Sequence, residues 1–348
     1  MLYKRKEVVI IGWINTGNPA ICGETMKNQL MIKKLEEFNI KCHIMDFYQW
    51  RKRPWIILQL AWTIMIHRKA TIIFSTSAQN VYPMMKFMKR IRWKQHTIHW
   101  VIGGSLAEKV TNGTFSRDVI NYMNWTLVES PIMMKQLSEC GVKHVIQTPN
   151  FKPINYIPPL TRNNEKMRFV FLSRIMPEKG CNYIFERANL LNKKGLKNTY
   201  DIDFYGKIAS EYEEEFKRKI DALENVNYAG FLNLCENKGY DRLASYDLML
   251  FPTYWKGEGF AGILIDAFIA GLPLIATDWA HNRQFMKEGE TALFVPVHDI
   301  PALTRKMEEC ILKHFDLKVM ARNCQKEASK YNIENVITID FLKKIDII

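Results

Sequence analysis

The sequence predicts an α/β protein whose two halves each form a doubly wound parallel sheet. Along most of the 348 residues, short apolar runs that end in glycine or polar residues alternate with segments of helical periodicity. A proline-rich stretch without clear periodicity, residues 152–166, interrupts this alternation, and a second series starts after it. A chain of this length is comfortable for two domains.

The predicted elements follow in order. In the first half, strands are predicted at residues 8–12, 40–45, 71–75, 97–102 and 126–128. In the second half, strands are predicted at 169–173, 202–205, 226–229, 247–251 and 274–276, with helices at 180–192, 211–223 and 263–270. Ligands of such sheets bind outside the carboxyl ends of the strands.

Charge is distributed unevenly between the halves. The net charge is +13, and residues 1–150 hold 21 lysines and arginines against 9 acidic residues, while the rest of the chain is nearly neutral. The segment from Lys86 to Lys94 alternates cations with apolar residues, which suits either contact with an anionic membrane or a solvated helix face over a core stripe. Binding of nucleic acid is the weaker alternative, because no recognition motif accompanies the charge.

Other features narrow the class of protein. The seven cysteines are odd in number and none has CxxC spacing, which predicts buried free thiols in a reducing cytoplasm rather than disulfides or a structural zinc site. No signal peptide is evident, and the most apolar segment, Trp55 to Ile66, is too short to cross a membrane. We expect a chain that is soluble or that lies on a membrane surface.

Two strand-to-helix connections in the second half carry candidate chemistry. After one strand the sequence reads S-R-I-M-P-E-K-G, which places Arg174 and Lys179 at a strand end, where two fixed cations can balance a diphosphate. After another it reads F-P-T-Y-W-K-G-E-G-F-A-G-I-L-I-D, a glycine-bearing loop that enters a helix start suited to phosphate. Glu258 and Asp266 in that stretch can accept hydrogen bonds from sugar hydroxyls, although a plain turn with both carboxylates in solvent is the alternative.

Together these stretches resemble the donor site of the retaining family 4 glycosyltransferases of the GT-B fold. The family's glutamate–x7–glutamate loop is similar to E-G-F-A-G-I-L-I-D here, with Asp266 in place of the second glutamate, and residues 288–296 resemble a later motif of the family. The resemblance covers residues 165–300 well and the first half in outline. It implies a GT-B fold of two Rossmann-like domains facing a central cleft.

The resemblance also implies roles for individual residues. Arg174 and Lys179 would bind the donor diphosphate, Glu258 the sugar hydroxyls and Asp266 the nucleotide ribose; Glu258, Arg174 and Lys179 are the candidate catalytic set. Backbone contacts near the phosphate and sugar would come from Phe260, Ala261, Gly262 and Ile263. Gly17 and Gly104 would belong to acceptor-side loops of the first half, and the loop at Gly17 lacks the family's usual paired glycines, since Gly17 and Gly23 are separated.

The implied domains are an acceptor domain at 1–151, a linker at 152–166, a donor domain at 167–330 and a C-terminal segment, 331–348, that returns to the first domain. His99 is expected in the core, His281 either toward the cleft or in a structural role, and the pair Asp201 and Asp203 is interpreted as structural because it lies at the start of a strand. No metal and no cofactor are expected, since Arg174 and Lys179 supply positive charge.

The sequence therefore favours a retaining glycosyltransferase that moves a sugar from a UDP-sugar or GDP-sugar to a hydroxyl acceptor. The acceptor would be a glycan or glycolipid, such as a lipid-linked saccharide of surface polysaccharide synthesis, at the inner face of the plasma membrane. The alternatives are a catalytically silent relative that acts as a membrane scaffold or binding protein, and an inverting GT-B enzyme, for which no convincing general base is visible. The sugar, the base, the linkage and the oligomeric state stay open.

Overall fold

The computed structural model describes residues 6–20 and 22–348, so part of the basic start, including Lys4 and Arg5, lies outside the described residues. The chain divides into two compact units. The first contains the described residues up to Pro153 together with Gly259–Ala261 and Tyr331–Ile348. The second contains Ile154–Glu258 and Gly262–Lys330. The acceptor and donor roles assigned to the two halves stay predictions.

The first unit is built on a six-stranded parallel sheet in the order β2-β1-β3-β4-β5-β6. Its strands are β1 (Glu7–Gly12), β2 (Lys41–Asp46), β3 (Thr71–Thr76), β4 (Thr97–Val101), β5 (Trp125–Val128) and β6 (Val145–Gln147). Its helices are α1 (Gly23–Glu37), α2 (Ile56–Ile66), α3 (Ala78–Arg90), α4 (Leu106–Thr111), α5 (Arg117–Ile120), α6 (Pro131–Glu139), α14 (Ile333–Val336) and α15 (Ile339–Lys344).

Both faces of this sheet are covered, which explains why its strands read as continuous apolar runs. Successive side chains of a strand point to opposite faces. Val9 accordingly packs in a cluster with residues of α2 to α6, whereas Val8 and Ile10 pack in a second cluster with α1, α14 and α15. The sheet thus forms the middle layer of three.

The second unit repeats the plan, with the strand order β12-β11-β10-β7-β8-β9. Its strands are β7 (Met167–Leu172), β8 (Tyr200–Tyr205), β9 (Val226–Tyr228), β10 (Leu248–Phe251), β11 (Leu274–Thr277) and β12 (Ala292–Val295). Its helices are α7 (Cys181–Lys193), α8 (Glu213–Asp221), α9 (Asn237–Ala244), α10 (Gly262–Ile269), α11 (Asn282–Phe285), α12 (Ile300–Ile311) and α13 (Leu317–Ala328). The predicted α/β class with two doubly wound parallel sheets is confirmed.

The strand order of the second sheet reverses between β7 and β10. From β7 the chain proceeds outward through β8 and β9, then returns to the other side of β7 for β10. Connections that leave the carboxyl ends of β7 and β10 therefore diverge, and this point of a doubly wound sheet is where ligands bind. Both connections singled out in the sequence start there.

Two expectations from the sequence need correction. All seven cysteines are free, but Cys22 and Cys235 are exposed and Cys42 and Cys140 are half-buried, so the prediction of buried thiols holds for the remaining three alone. The helix predicted over 211–223 starts with a 3-10 turn, Ser210–Tyr212, before α8.

Within the described parts of the chain, none of the helices combines the length and the apolar character that crossing a membrane requires.

Candidate functional site

The connection after β7 positions the two predicted cations differently. Arg174 is exposed, and its guanidinium lies 5.7 Å from the centre of the Trp255 ring. Lys179 ends a 3-10 turn, Pro177–Lys179, and is buried. Gly180 follows with φ +84°, and a Cβ there would lie 2.2 Å from the carbonyl oxygen of Pro252. Only glycine permits this close approach of the β7 and β10 connections.

Lys179 and Glu258 form an ion pair inside the second unit. The Lys179 Nζ donates to Glu258 Oε2 at 2.6 Å, and the two side chains are 10% and 6% exposed. The Thr253 hydroxyl donates to the same oxygen at 2.7 Å. The structure therefore contradicts the alternative of an exposed Glu258 in a plain turn, and it shows that the carboxylate is fixed by partners from both connections.

The backbone of the loop after β10 is fixed by hydrogen bonds from one backbone N–H and two side chains. Tyr254 N donates to Glu178 O at 2.9 Å, and the Thr277 hydroxyl at the end of β11 donates to Thr253 O at 2.5 Å. Trp279 Nε1 donates to Trp255 O at 2.9 Å. Connections after three neighbouring strands are thus joined at one edge of the sheet, which limits the motion of Glu258.

The helix that follows this loop, α10, begins at Gly262 with half-buried residues and soon becomes apolar and buried. Its first N–H groups and its dipole favour an anion at the start. Asp266, one turn in, is buried and accepts a hydrogen bond from the Tyr240 hydroxyl at 2.8 Å. Burial, reinforced by Asp266, raises the pKa of Tyr240 above its ordinary value, so the hydroxyl stays a donor.

Gly259–Ala261 group with the first unit. There the Phe260 N–H donates to Glu129 Oε2 at 3.1 Å, and Asn150 Nδ2 donates to Phe260 O at 3.0 Å. Glu129, which follows β5, also pairs with Lys27 at 2.7 Å, and both side chains are buried. The Phe260 N–H that the resemblance assigns to the donor therefore has a protein partner in this state.

The predicted acceptor-side glycines both lie in loops of the first unit. Gly17 has φ +78° in the connection after β1, and Gly104 precedes α4. Asp46 fixes the first of these loops, since its carboxylate accepts from Ile14 N at 3.0 Å and Thr16 N at 2.8 Å. Burial alone would raise the pKa of Asp46, but these backbone hydrogen bonds lower it below the usual value.

Several predicted positions are structural. His99 is fully buried in β4 with Nε2 3.3 Å from Thr76 O, and burial lowers its pKa to about 4, which confirms the expected core position. Asp203 receives hydrogen bonds from Tyr246 and Arg242, which supports the structural interpretation of the Asp201–Asp203 pair. His281 caps α11 beside Gln284.

One cluster in the described part of the chain brings metal-binding atom types together: Glu7, His43 and His67, within 4.8 Å of one another. The two rings stack at 3.6 Å and 27°, and one nitrogen of each faces Glu7 Oε2, at 3.2 and 3.0 Å. A single ion cannot lie in the planes of two stacked rings, so a hydrogen-bonded cluster fits better than a chelate. Burial opposes ionisation of Glu7, but these hydrogen bonds lower its pKa below the ordinary value.

A second candidate site is the apolar-basic surface, which we define as the exposed face of α2 and α3 with the adjoining cations Arg51, Lys52, Arg53, Lys86, Lys89, Arg90, Arg92 and Lys94. Leu58 is 74% exposed and Trp62 62%, and Trp55, Ile57, Met65 and Ile66 are about half exposed. Phe87 and Ile91 add exposed apolar area, whereas Met88 turns into the core. Such a contiguous apolar patch with a cationic rim marks an interaction surface.

Sequence reasoning identified Arg174, Lys179 and Glu258 as neighbours, and the structure brings Lys179 and Glu258 into contact. It missed Thr253, Tyr240 and Glu129. A polar residue directly after a buried parallel strand was the available signal for Glu129, whereas Tyr240 lies on a helix that the periodicity did not indicate.

Comparison with known proteins gives a consistent result. Residues 166–313 match the family model of group 1 glycosyl transferases, and this match together with the structural neighbours below supports a GT-B glycosyltransferase. A 41.2 kDa protein from the cps region of Klebsiella pneumoniae is 24% identical over 165 residues, which are 47% of this chain and 42% of that protein. The chain thus spans about two fifths of the length of the curated relative that it matches.

Solved structures resemble the whole chain. The lipopolysaccharide outer core galactosyltransferase WaaB is similar with a TM-score of 0.68 and 14% identity over 98% of both chains. HepE from Anabaena in complex with UDP has a TM-score of 0.67 and 14% sequence identity over 94% of this chain and 95% of that one. Sucrose-phosphate synthase from Thermosynechococcus elongatus has a TM-score of 0.74 and 12% sequence identity over 95% of this chain and 96% of that one. The chain has the two-domain α/β GT-B fold.

Proposed function

We propose that this chain, whose residues 166–313 match the family model of group 1 glycosyl transferases, is a retaining enzyme that transfers a sugar from a nucleoside diphosphate sugar to a hydroxyl acceptor. The observation that carries the proposal is the arrangement at the switch point of the second sheet. Arg174, Lys179 and the start of α10 offer positive charge there, beside the buried carboxylate of Glu258.

Each group has a role in that reaction. Arg174, Lys179 and the first N–H groups of α10 stabilise the negative charge that develops on the departing diphosphate. Glu258 accepts hydrogen bonds from sugar hydroxyls and holds the anomeric carbon in place for attack. Lys179 holds that carboxylate in place through its hydrogen bond, and its ammonium group also attracts the diphosphate when the donor enters. Asp266 is assigned to the ribose of the nucleotide and reaches one methylene less far than a glutamate.

Because Arg174, Lys179 and the start of α10 supply positive charge, we propose that the donor diphosphate binds without a metal ion. UDP is the first nucleotide to test, because HepE was solved with UDP and with UDP-glucose. The acceptor we propose is a glycan or lipid-linked saccharide of surface polysaccharide synthesis. This assignment is supported by the cps-region relative and by the lipopolysaccharide enzyme among the structural neighbours.

The donor proposal is tested by calorimetric melting with UDP, GDP and their common sugar conjugates, with EDTA present. A nucleotide at 100 times its dissociation constant stabilises the folded state by about 2.7 kcal/mol. We expect one nucleotide to shift the transition of the second unit, and Arg174→Ala to abolish the shift. The matched control is Arg218→Ala, an exposed arginine on α8 that should retain the shift. Anomeric coupling constants of the product then report retention or inversion.

The competing function is that of a catalytically silent scaffold or binding protein on the membrane. Stabilisation of the wild type by none of the nucleotides would refute the donor proposal and favour this alternative. Glu258→Gln separates the two cases further, because it should keep nucleotide binding but lose transfer in an enzyme.

We also propose that the apolar-basic surface binds the anionic inner face of the plasma membrane. Leu58 and Trp62 can enter the headgroup region while the cations contact lipid phosphates, at about 1 kcal/mol for each cation near the surface. Flotation with phosphatidylglycerol vesicles tests this, with phosphatidylcholine vesicles as the uncharged comparison. Leu58→Ser with Trp62→Ser should abolish flotation. Phe231→Ser, which removes an 82% exposed ring from the second unit, should not. Equal flotation of all variants would contradict the proposal.

A further inference from the structure

Between α2 and α3 the first unit contains an apolar groove of about 750 Å³. Ile57, Ala61 and Ile64 line it from α2 at helical spacing, and Met84, Phe87 and Met88 line it from α3. Phe74 of β3, which is buried, lies at its base. The groove is distinct from the outward stripe of α2 that carries Leu58 and Trp62, because neither of these residues lines it.

The polar residues of the groove are concentrated at one end. Arg68 follows α2 and Lys94 follows α3, and both are exposed. Each of these helices begins after the carboxyl end of one strand and ends before the amino end of the next. The two cations therefore mark the end of the groove that lies at the amino edge of the sheet.

We propose that this groove holds one acyl chain of an anionic phospholipid, whose phosphate is bound by Arg68 and Lys94. The volume lies within the range of small-molecule sites, about 300–1,000 Å³, and the lining is almost wholly apolar. An apolar chain that ends in a negative charge matches both parts of the groove. This inference rests on the proposed membrane association and adds a stoichiometric lipid site to it.

The position of the cations distinguishes this lipid from the acceptor. Chemistry in doubly wound folds takes place outside the carboxyl ends of the strands. A lipid-linked acceptor needs its phosphate near that edge, whereas Arg68 and Lys94 lie at the opposite edge. The occupant is thus a membrane lipid that fixes the orientation of the first unit on the bilayer, and the acceptor binds elsewhere.

The test uses dodecanoyl lysophosphatidylglycerol below its critical micelle concentration, with binding to the full chain followed by native mass spectrometry and calorimetry. We expect one molecule per chain. Ala61→Trp fills the groove from an exposed position and should weaken binding at least about tenfold, or 1.4 kcal/mol. Because this substitution adds apolar area and removes no charge, flotation with vesicles should persist.

A second variant tests the headgroup end. Arg68→Gln with Lys94→Gln should weaken the binding of lysophosphatidylglycerol and leave the binding of monododecanoylglycerol, which has the same acyl chain but no phosphate, unchanged. Absence of lysolipid binding in a wild type that floats with vesicles would overturn the groove but not the membrane proposal. The groove proposal would also be overturned if Ala61→Trp bound the lysolipid with the wild-type affinity. Loss of flotation in the wild type would instead refute the membrane association on which the groove depends.

Discussion

The buried ion pair of the second unit gives a quantitative test of the site. Lys179→Met removes the cation that lies 2.6 Å from Glu258 and leaves the carboxylate buried, where it still accepts a hydrogen bond from the Thr253 hydroxyl. Breaking a buried pair on one side costs about 3–5 kcal/mol, since an uncompensated charge stays inside. One kcal/mol corresponds to about 2–4 °C in a unit of 150–250 residues, so the transition should fall by roughly 6–20 °C.

The chain supplies a matched control. Lys217 and Glu213 on α8 are also 2.6 Å apart, but both are about half exposed or more, so Lys217→Met should leave the transition nearly unchanged. Lys179→Met with Glu258→Gln should recover much of the lost stability, because no buried charge remains, while nucleotide binding stays weak. Differential scanning calorimetry measures all three. A Lys179→Met transition as high as that of Lys217→Met would refute the reasoning.

Three further outcomes are expected. His99 is buried with a pKa of about 4, below its usual 6.5, so its contribution to the free energy of unfolding is present above pH 6.5 and is lost as the pH falls toward 4. Between pH 7.5 and 5 the wild type should therefore lose about 2 kcal/mol more than His99→Gln in urea unfolding. Equal losses of the two proteins would contradict this. Gly180→Ala should lower the free energy of unfolding of the second unit by about 1–3 kcal/mol or more in thermal melts. Alanine is strained at a positive φ, and its Cβ would clash with the Pro252 carbonyl. Tyr240→Phe should cost about 1–3 kcal/mol by calorimetry, because it removes a donor from buried Asp266, and an unchanged transition would argue against that bond.

The sequence predicted most strands of both sheets because parallel strands covered on two faces are continuous apolar runs. The strand predicted at 97–102 is found as Thr97–Val101, and the helix predicted at 263–270 is found as Gly262–Ile269. Helix α9 escaped prediction because its eight residues include a glycine and few apolar positions. Short amphipathic helices are decided by what they pack against, which periodicity alone does not show.

The candidate site was predicted in part for a similar reason. Strand order and glycine loops placed Arg174, Lys179 and Glu258 at one edge, since the carboxyl ends of parallel strands lie together. The pairing of Tyr240 with Asp266 joins residues 26 positions apart on two helices, α9 and α10, and no spacing rule specifies it. The apolar face of α2 was visible as composition, but only the structure separates the outward stripe from the groove.

The last segment of the chain has a consequence for synthesis. Residues of α14 and α15, among them Val336 and Leu342, complete the core layer over Val8 and Ile10 of β1. A ribosome supplies the chain at about 5–20 residues per second, and domains fold as they emerge. The second unit runs from Ile154 to Lys330 and is interrupted by Gly259–Ala261 alone. It can therefore fold while the first unit still lacks part of its cover. Strand β1 is therefore synthesised well before α14 and α15, and the apolar side chains that these helices cover stay exposed during most of the synthesis of the second unit.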